Sequence, residues 1–132
     1  MNTIKYIEQP KKSYCCGQCC VAMAAGVAIE QVFAIMDKKG STNTKTIHKA
    51  LSFYGINCGP KKSLTPIFGN LSKLPHTAIL KIKLDWKKSN WHWVLKHGDM
   101  ILDPGKTGIT KINEFIETPG HKITSFLKVS II

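Results

Sequence analysis

The chain contains no arginine. Its 19 basic residues are all lysines, they face only 8 acidic residues, and the formal net charge is +11. Proteins that recognise nucleic acids usually contact phosphate and guanine through the planar guanidinium group of arginine, so this composition argues against a nucleic-acid partner. The lysines are spread along the chain, mostly as doublets, which is typical of a solvated surface; attraction to an acidic partner is the alternative.

The sequence also lacks a long hydrophobic run. Its longest apolar stretch, residues 19–29, is interrupted by Gly26 and is too short to span a membrane. Residues 1–10 contain no continuous apolar segment of the kind found in secretory signals. We therefore expect a soluble, cytoplasmic protein without membrane insertion, and leaderless export as an effector remains open.

Length and composition predict a single domain over residues 1–132. The 132 residues are 43% hydrophobic and 20% charged, which suits a globular chain that buries about two thirds of its unfolded surface. Helical patterns come first and strand patterns follow. This order predicts an α+β domain in which the first helix packs on a C-terminal antiparallel sheet.

Three helices are predicted in the first half of the chain, at residues 15–25, 28–36 and 44–54. The first starts at residue 15 or 16 and is apolar nearly all round, as expected of a buried central helix. The third has Asn43 or Thr44 available as a cap, and Gly55 can provide its left-handed end.

Residues 4–7 are too short to form more than an edge strand. The other strands are predicted in the second half, at residues 77–84, 91–96, 100–103 and 123–131, with a short helix at 113–117. Residues 77–84 alternate so that one face is fully apolar. Residues 57–74 contain repeated glycine and proline signals and are predicted to be mainly loop.

Four of the five cysteines are crowded between residues 15 and 20. Their odd number and the poor geometry of a bridge on one helix face predict reduced thiols. Cys16 is the best candidate nucleophile because the first turn of a helix is the positive end of its macrodipole, and Gly17 would let a substrate backbone come close. The alternative is that Cys16, like Cys19 and Cys20, is a small apolar core residue.

A histidine that could activate this thiol stands between Trp91 and Trp93. A lone histidine on a strand is more often structural, but a hairpin that turns near Gly98 would place His92 opposite residues 103–105. Asp103 could then reach the imidazole, orient it and favour the imidazolium that a thiolate needs. Asp-Pro-Gly is also a common turn sequence, and the two roles are compatible.

Four short motifs form a pattern: Gln9, Cys16-Gly17, His92-Trp93-Val94 and Asp103-Pro104. Gln9 could place a neutral amide over the helix start and form an oxyanion hole with the backbone N–H of Cys16. Together the motifs resemble the papain-like cysteine peptidases, most closely the C39-like family of the bacteriocin-processing type. Over nearly the whole chain, the resemblance implies a papain-like fold and a catalytic set of Cys16, His92, Asp103 and Gln9, without metal or cofactor.

The pattern departs from that family in two ways. The usual spacing after the glutamine would select Cys15, and the general papain pattern would select Cys19, so both are alternatives behind Cys16. Bacteriocin-type peptidases are usually fused to an ABC transporter, and no membrane span is predicted here. Their leader-peptide substrate is therefore not carried over.

The sequence thus predicts a stand-alone cysteine peptidase that hydrolyses peptide or isopeptide bonds in a protein substrate, with acidic segments favoured. The same thioester chemistry would serve a deamidase or transglutaminase-like toxin or effector, and an inert papain-like binding module is a further alternative. Cys16-Gly17-Gln18-Cys19 is also a C-x-x-C motif, but no strand-helix-strand unit precedes it and no second ligand pair accompanies it. These absences disfavour redox and zinc functions. The sequence does not indicate an oligomeric state.

Overall fold

The computed structural model describes residues 4–10, 14–36, 40–59, 63–83, 91–105 and 107–130. Three helices come first: α1 (Cys16–Ala25), α2 (Ile29–Met36) and α3 (Thr44–Phe53). Six strands follow: β1 (Thr65–Pro66), β2 (Thr77–Lys83), β3 (Trp91–His97), β4 (Met100–Asp103), β5 (Gly108–Lys111) and β6 (Lys122–Lys128). A 3-10 turn (Leu71–Lys73) precedes β2, and helix α4 (Ile112–Glu117) separates β5 from β6.

The described strands form one sheet in the order β1-β6-β2-β3-β4-β5, and all of its pairings are antiparallel. Helix α1 packs on one face, where its apolar side chains meet Ile79, Leu95 and Leu127. Phe115 of α4 covers the other face, packing with Leu80 among others. The predicted α+β class, with the first helix on an antiparallel sheet, is confirmed.

Local signals account for the helix ends. Asn43 lies before α3 in an extended conformation and accepts the Thr46 backbone N–H at 2.9 Å, as an N-cap should. Gly55, with a φ of 76°, takes the left-handed conformation just after α3. Gly26 ends α1 in the same way, with a φ of 70°. The boundaries predicted for these helices are confirmed to within one or two residues.

The strands differ from the prediction in three places. Residues 4–7 form no strand; their side chains Ile4, Tyr6 and Ile7 pack against the core on the α1 side of the sheet. Strand β5 itself, and the short β1 within residues 57–74, were not predicted. The apolar face predicted for β2 is confirmed at Ala78, Leu80 and Ile82, and Ile79 on the other face is buried as well, since α1 and α4 cover opposite sides of the sheet. The predicted strand ends at residues 84 and 131 lie outside the described residues.

No single helix in the described ranges is long and apolar enough to cross a membrane. Helices α1 and α2 together reach the required length and composition, but they meet at an angle of 115°.

Candidate active site

Cys16 is the first residue of α1 and is placed against β3. Its Sγ accepts the backbone N–H of Trp93 at 3.4 Å. The pairing between β3 and β4 begins only at Leu95 and Leu102, so this N–H lies beyond the paired part of the strand. The thiol therefore takes the position that a strand partner would occupy, at the positive end of the α1 macrodipole.

His92 and Asp103 meet at the same end of the sheet. The Nε2 of His92 lies 2.5 Å from the Oδ1 of Asp103, and their side chains are 19% and 3% exposed. The observed register pairs His97 with Met100 and Leu95 with Leu102. Continued along β3, it places residue 105 opposite His92, within the range that the sequence predicts.

Gly105 completes the surroundings of this pair. Its backbone N–H donates to the Oδ1 of Asp103 at 2.8 Å, the bond of an Asx turn, so Asp103 fills its turn role and its histidine contact together. A Cβ on Gly105 would lie 3.1 Å from that oxygen and 3.3 Å from the Nε2 of His92. Any larger residue would crowd the ion pair.

The electrostatics of the pair favour its charged form. Burial alone would lower the pKa of His92, but hydrogen bonds to Asp103 and Cys16, and the charges of both, raise that pKa to about 10. Burial would raise the pKa of Asp103, but the hydrogen bond and charge of His92, with donors from Gly105 and Thr107, lower it. An imidazolium–carboxylate pair therefore persists across the neutral range, and Nδ1 is the ring nitrogen left for the Cys16 thiol.

This ion pair should make stability depend on pH. The contribution of His92 is complete below the ordinary pKa of 6.5 and is lost as pH rises toward about 10; that of Asp103 is present above 3.8 and is lost as pH falls through its lowered pKa. Between pH 3.8 and pH 6.5, where both contributions are present, we expect the free energy of unfolding of wild type to exceed that of His92→Gln by about 1 to 3 kcal/mol. Urea unfolding at a series of pH values would measure this, and a difference that stays constant between pH 6 and pH 9 would contradict the ion pair.

The structure distinguishes the candidate thiols. Cys16 is 8% exposed and is the cysteine that hydrogen-bonds His92, whereas Cys15 is 1% exposed and hydrogen-bonds Cys19. Burial raises the pKa of Cys19 and of Cys20 far above the ordinary value, and it raises the pKa of Cys58 to about 11. All five cysteines are free thiols. The geometry therefore favours Cys16 over Cys15 and Cys19.

Gln9 lies at the Asp103 end of the site. Its backbone N–H donates to the carbonyl of Pro104 at 2.8 Å, and its side chain is half-buried. The oxyanion role of its amide stays a prediction.

The sequence suggested that Gly17 leaves room for a substrate backbone, but the structure shows a different role. A Cβ there would lie 2.4 Å from the Cγ2 of Thr42 and 3.3 Å from the Cδ1 of Trp93, so the missing side chain serves close packing of α1.

Two further residues support the site and were not found from the sequence. The Tyr6 hydroxyl donates to the backbone carbonyl of Asp103 at 2.5 Å, and burial, with the charge of Asp103, raises the pKa of Tyr6 to about 12. Gln18 is fully buried in α1, and its Nε2 donates to the carbonyl of Gly40 at 2.7 Å. Both contacts join segments distant in sequence, and no local pattern points to either.

Three further histidines, His76, His97 and His121, contact their neighbours away from Cys16. The Nδ1 of His97 lies 2.8 Å from the Thr77 hydroxyl, and its ring packs edge-on against His76. His121 stacks on Phe115, with its Nδ1 3.0 Å from that residue's carbonyl. Within the described ranges, no cluster of three or more histidine, cysteine or acidic side chains is arranged to hold a metal ion.

Comparison with known proteins assigns no family to the chain. A scan against models of protein families gave no match. A search of curated proteins found no relative. The functional interpretation therefore rests on the site geometry and on the motifs that occupy it.

Proposed function

We propose that the chain is a cysteine peptidase of papain-like fold that hydrolyses peptide or isopeptide bonds. One observation carries the proposal. The Cys16 thiol contacts the His92 imidazole, and the opposite ring nitrogen lies 2.5 Å from the buried carboxylate of Asp103. A nucleophile, a base and a group that orients the base are thus in line, which is the arrangement of thiol hydrolases.

The proposed reaction has two steps. The Cys16 thiolate attacks the substrate carbonyl carbon, and the C–N bond breaks as the His92 imidazolium transfers its proton to the leaving amine. A thioester with Cys16 remains. His92, now neutral, removes a proton from water, the resulting hydroxide displaces the thiolate, and a carboxylic acid is released. Asp103 keeps the imidazole oriented throughout and stabilises its cationic form.

The negative oxygen formed in each step needs donors. The first N–H groups of a helix have no intrahelical partner, so the backbone N–H of Cys16 is one candidate. The Gln9 amide is the proposed second donor, and the bond between its backbone and Pro104 holds Gln9 close to Asp103. This arrangement of donors rests on the family resemblance as well as on the position of Gln9.

Electrostatics favour an enzyme over an inert module. Burying an ion pair costs desolvation energy and is a weak source of stability, so a buried histidine–aspartate pair beside a thiol is more useful to a reaction than to packing. The same side chains would also support deamidation or acyl transfer, because those reactions share the thioester and differ only in the acceptor. Hydrolysis is the simplest case, since water is the acceptor.

The test is to identify what the site alters. A Cys16→Ala variant is used to capture bound proteins from a cell lysate, and wild type is then incubated with the captured proteins. Peptide mass spectrometry should reveal new N-termini with wild type and none with Cys16→Ala. Cys58→Ala is the matched control, because it removes another buried thiol outside the site and should retain activity.

The other outcomes each select a different function. A gain of about one dalton at glutamine residues would identify a deamidase, and new glutamine–amine links would identify a transglutaminase-like enzyme. Capture without any change by wild type would replace the proposal with a binding module. Loss of the activity in Cys19→Ala as complete as in Cys16→Ala would indicate a dithiol redox site instead.

A further inference from the structure

At the start of β3, the sheet carries a group of lysines around an exposed aromatic ring. Trp91 is 41% exposed, and the Nζ atoms of Lys81 and Lys83 lie 4.3 Å and 5.9 Å from its ring centroid. Lys122 pairs with Lys83 across β2 and β6, so its side chain leaves the same face of the sheet. These four residues, Trp91, Lys81, Lys83 and Lys122, are here called the lysine–tryptophan platform.

The platform is continuous with the candidate active site. Trp91 immediately precedes His92 on β3, and Lys81 also lies over the ring of Trp93, at 5.8 Å. Trp93 in turn donates its backbone N–H to the Cys16 thiol. A ligand on the platform would therefore lie beside Trp93 and near the start of α1, whereas the imidazole of His92 leaves the opposite face of β3, because side chains alternate along a strand.

The platform is electrostatically incomplete by itself. Three cations lie at neighbouring positions on one sheet face, where like charges repel. Among the described residues, no carboxylate lies within ion-pair distance of these lysines. The ion pair that the described residues do form, His92–Asp103, does not involve them. Contact with an exposed indole offsets only part of this repulsion, about 0.5 to 1 kcal/mol for each pair. A bound anionic group would offset the rest.

The platform lies on the face of the sheet that packs on α1, and Trp93 connects it to the start of that helix. Its lysines match the carboxylates of aspartate and glutamate in charge. We propose that the platform binds acidic side chains of a polypeptide substrate, and that the protein therefore selects sequences with aspartate or glutamate close to the cleaved bond. This inference rests on the proposed function for the cleavage of that substrate.

Binding is measured first, because it does not require turnover. The probe is a fluorescein-labelled peptide with a run of glutamates, compared with the same peptide carrying glutamines, on the Cys16→Ala protein. The glutamate peptide should bind about tenfold more tightly, and Lys83→Glu should remove most of that difference. Lys128→Glu is the matched control: it is an equally exposed lysine that pairs with Ala78, far along β2 from Lys83, and it changes the net charge equally. It should change the affinity by less than about twofold.

The ring is tested in the same assay. Trp91→Ala should weaken binding of the glutamate peptide severalfold. Phe68→Ala is its control, because Phe68 is 85% exposed and also carries a lysine, with the Nζ of Lys73 5.5 Å from its ring centroid. Equal losses in Lys83→Glu and Lys128→Glu, or equal binding of the glutamate and glutamine peptides, would overturn the inference.

Cleavage of a mixed peptide library by wild type then separates this inference from the proposed function. Aspartate and glutamate should be enriched close to the cut sites, and this enrichment should be lost in Lys83→Glu and kept in Lys128→Glu. Cleavage without acidic enrichment would overturn the inference and leave the peptidase standing. Platform-dependent binding without any cleavage would support acidic-peptide recognition and overturn the peptidase.

Discussion

Replacing His92 with alanine should slow the alkylation of Cys16 by iodoacetamide at pH 6 by about a hundredfold, because the reactive form of a cysteine is its thiolate and the variant lacks the cation that contacts it. In wild type, the pKa of His92 is raised to about 10, so its imidazolium is intact at pH 6. Mass spectrometry of the labelled protein should show modification at Cys16 before any other cysteine. Hydrolytic activity should disappear in the same variant.

Two comparisons make this result specific. His121→Ala removes an imidazole that stacks on Phe115 and should leave the alkylation rate unchanged. Asp103→Asn should reduce turnover less than His92→Ala, because Asp103 orients the base and is not itself the base. Labelling of Cys15 or Cys19 ahead of Cys16 would move the nucleophile to that residue.

Gly17→Ala should destabilise the protein by about 2 to 3 kcal/mol, although alanine is normally the better helix former by about 1 kcal/mol. A Cβ at this position would lie 2.4 Å from the Cγ2 of Thr42 and 3.2 Å from the Cδ1 of Ile47. The Thr42 methyl group belongs to a β-branched side chain with little rotamer freedom, so we expect the steric cost to exceed the gain in helix propensity. Urea unfolding would measure the change, and alkylation of Cys16 would show whether the thiol has moved.

The chain offers both a matched control and a rescue. Gly40→Ala should be neutral to within about 0.5 kcal/mol, since, apart from its chain neighbours, no atom of the described residues lies within 4 Å of a Cβ built at Gly40. Thr42→Ser removes the methyl group that Gly17→Ala would strike, so the double variant should recover part of the lost stability. A Gly17→Ala protein as stable as wild type would show that α1 can shift, contrary to the packing described above.

Local chemistry explains which parts of the fold could be predicted. The third helix was recognisable because Asn43 caps its start and Gly55 terminates it, and both signals lie within the segment that they define. Strand β4 followed from its position across the Gly98 turn from β3. Strand β5 could not be recognised, since Gly108–Lys111 is short, half-exposed and without a regular apolar alternation.

The same distinction applies to the site. The contact between His92 and Asp103 was accessible because a hairpin turn fixes the register of residues only 11 positions apart. The Tyr6 contact joins residues 97 positions apart, and the bond from Gln18 to Gly40 depends on how a loop returns to α1. The packing role of Gly17 was equally inaccessible, because it is set by Thr42 and Trp93, which belong to other elements.

The long reach between Cys16 and Trp93 has a consequence for the timing of reactivity. These residues are 77 positions apart, and Asp103 follows later still. On the ribosome, Cys16 therefore emerges as an ordinary thiol and gains its imidazolium neighbour only after most of the chain has been made and β3 has paired. The fraction of molecules labelled at Cys16 at mildly acidic pH should accordingly equal the fraction that is folded in a mixed population.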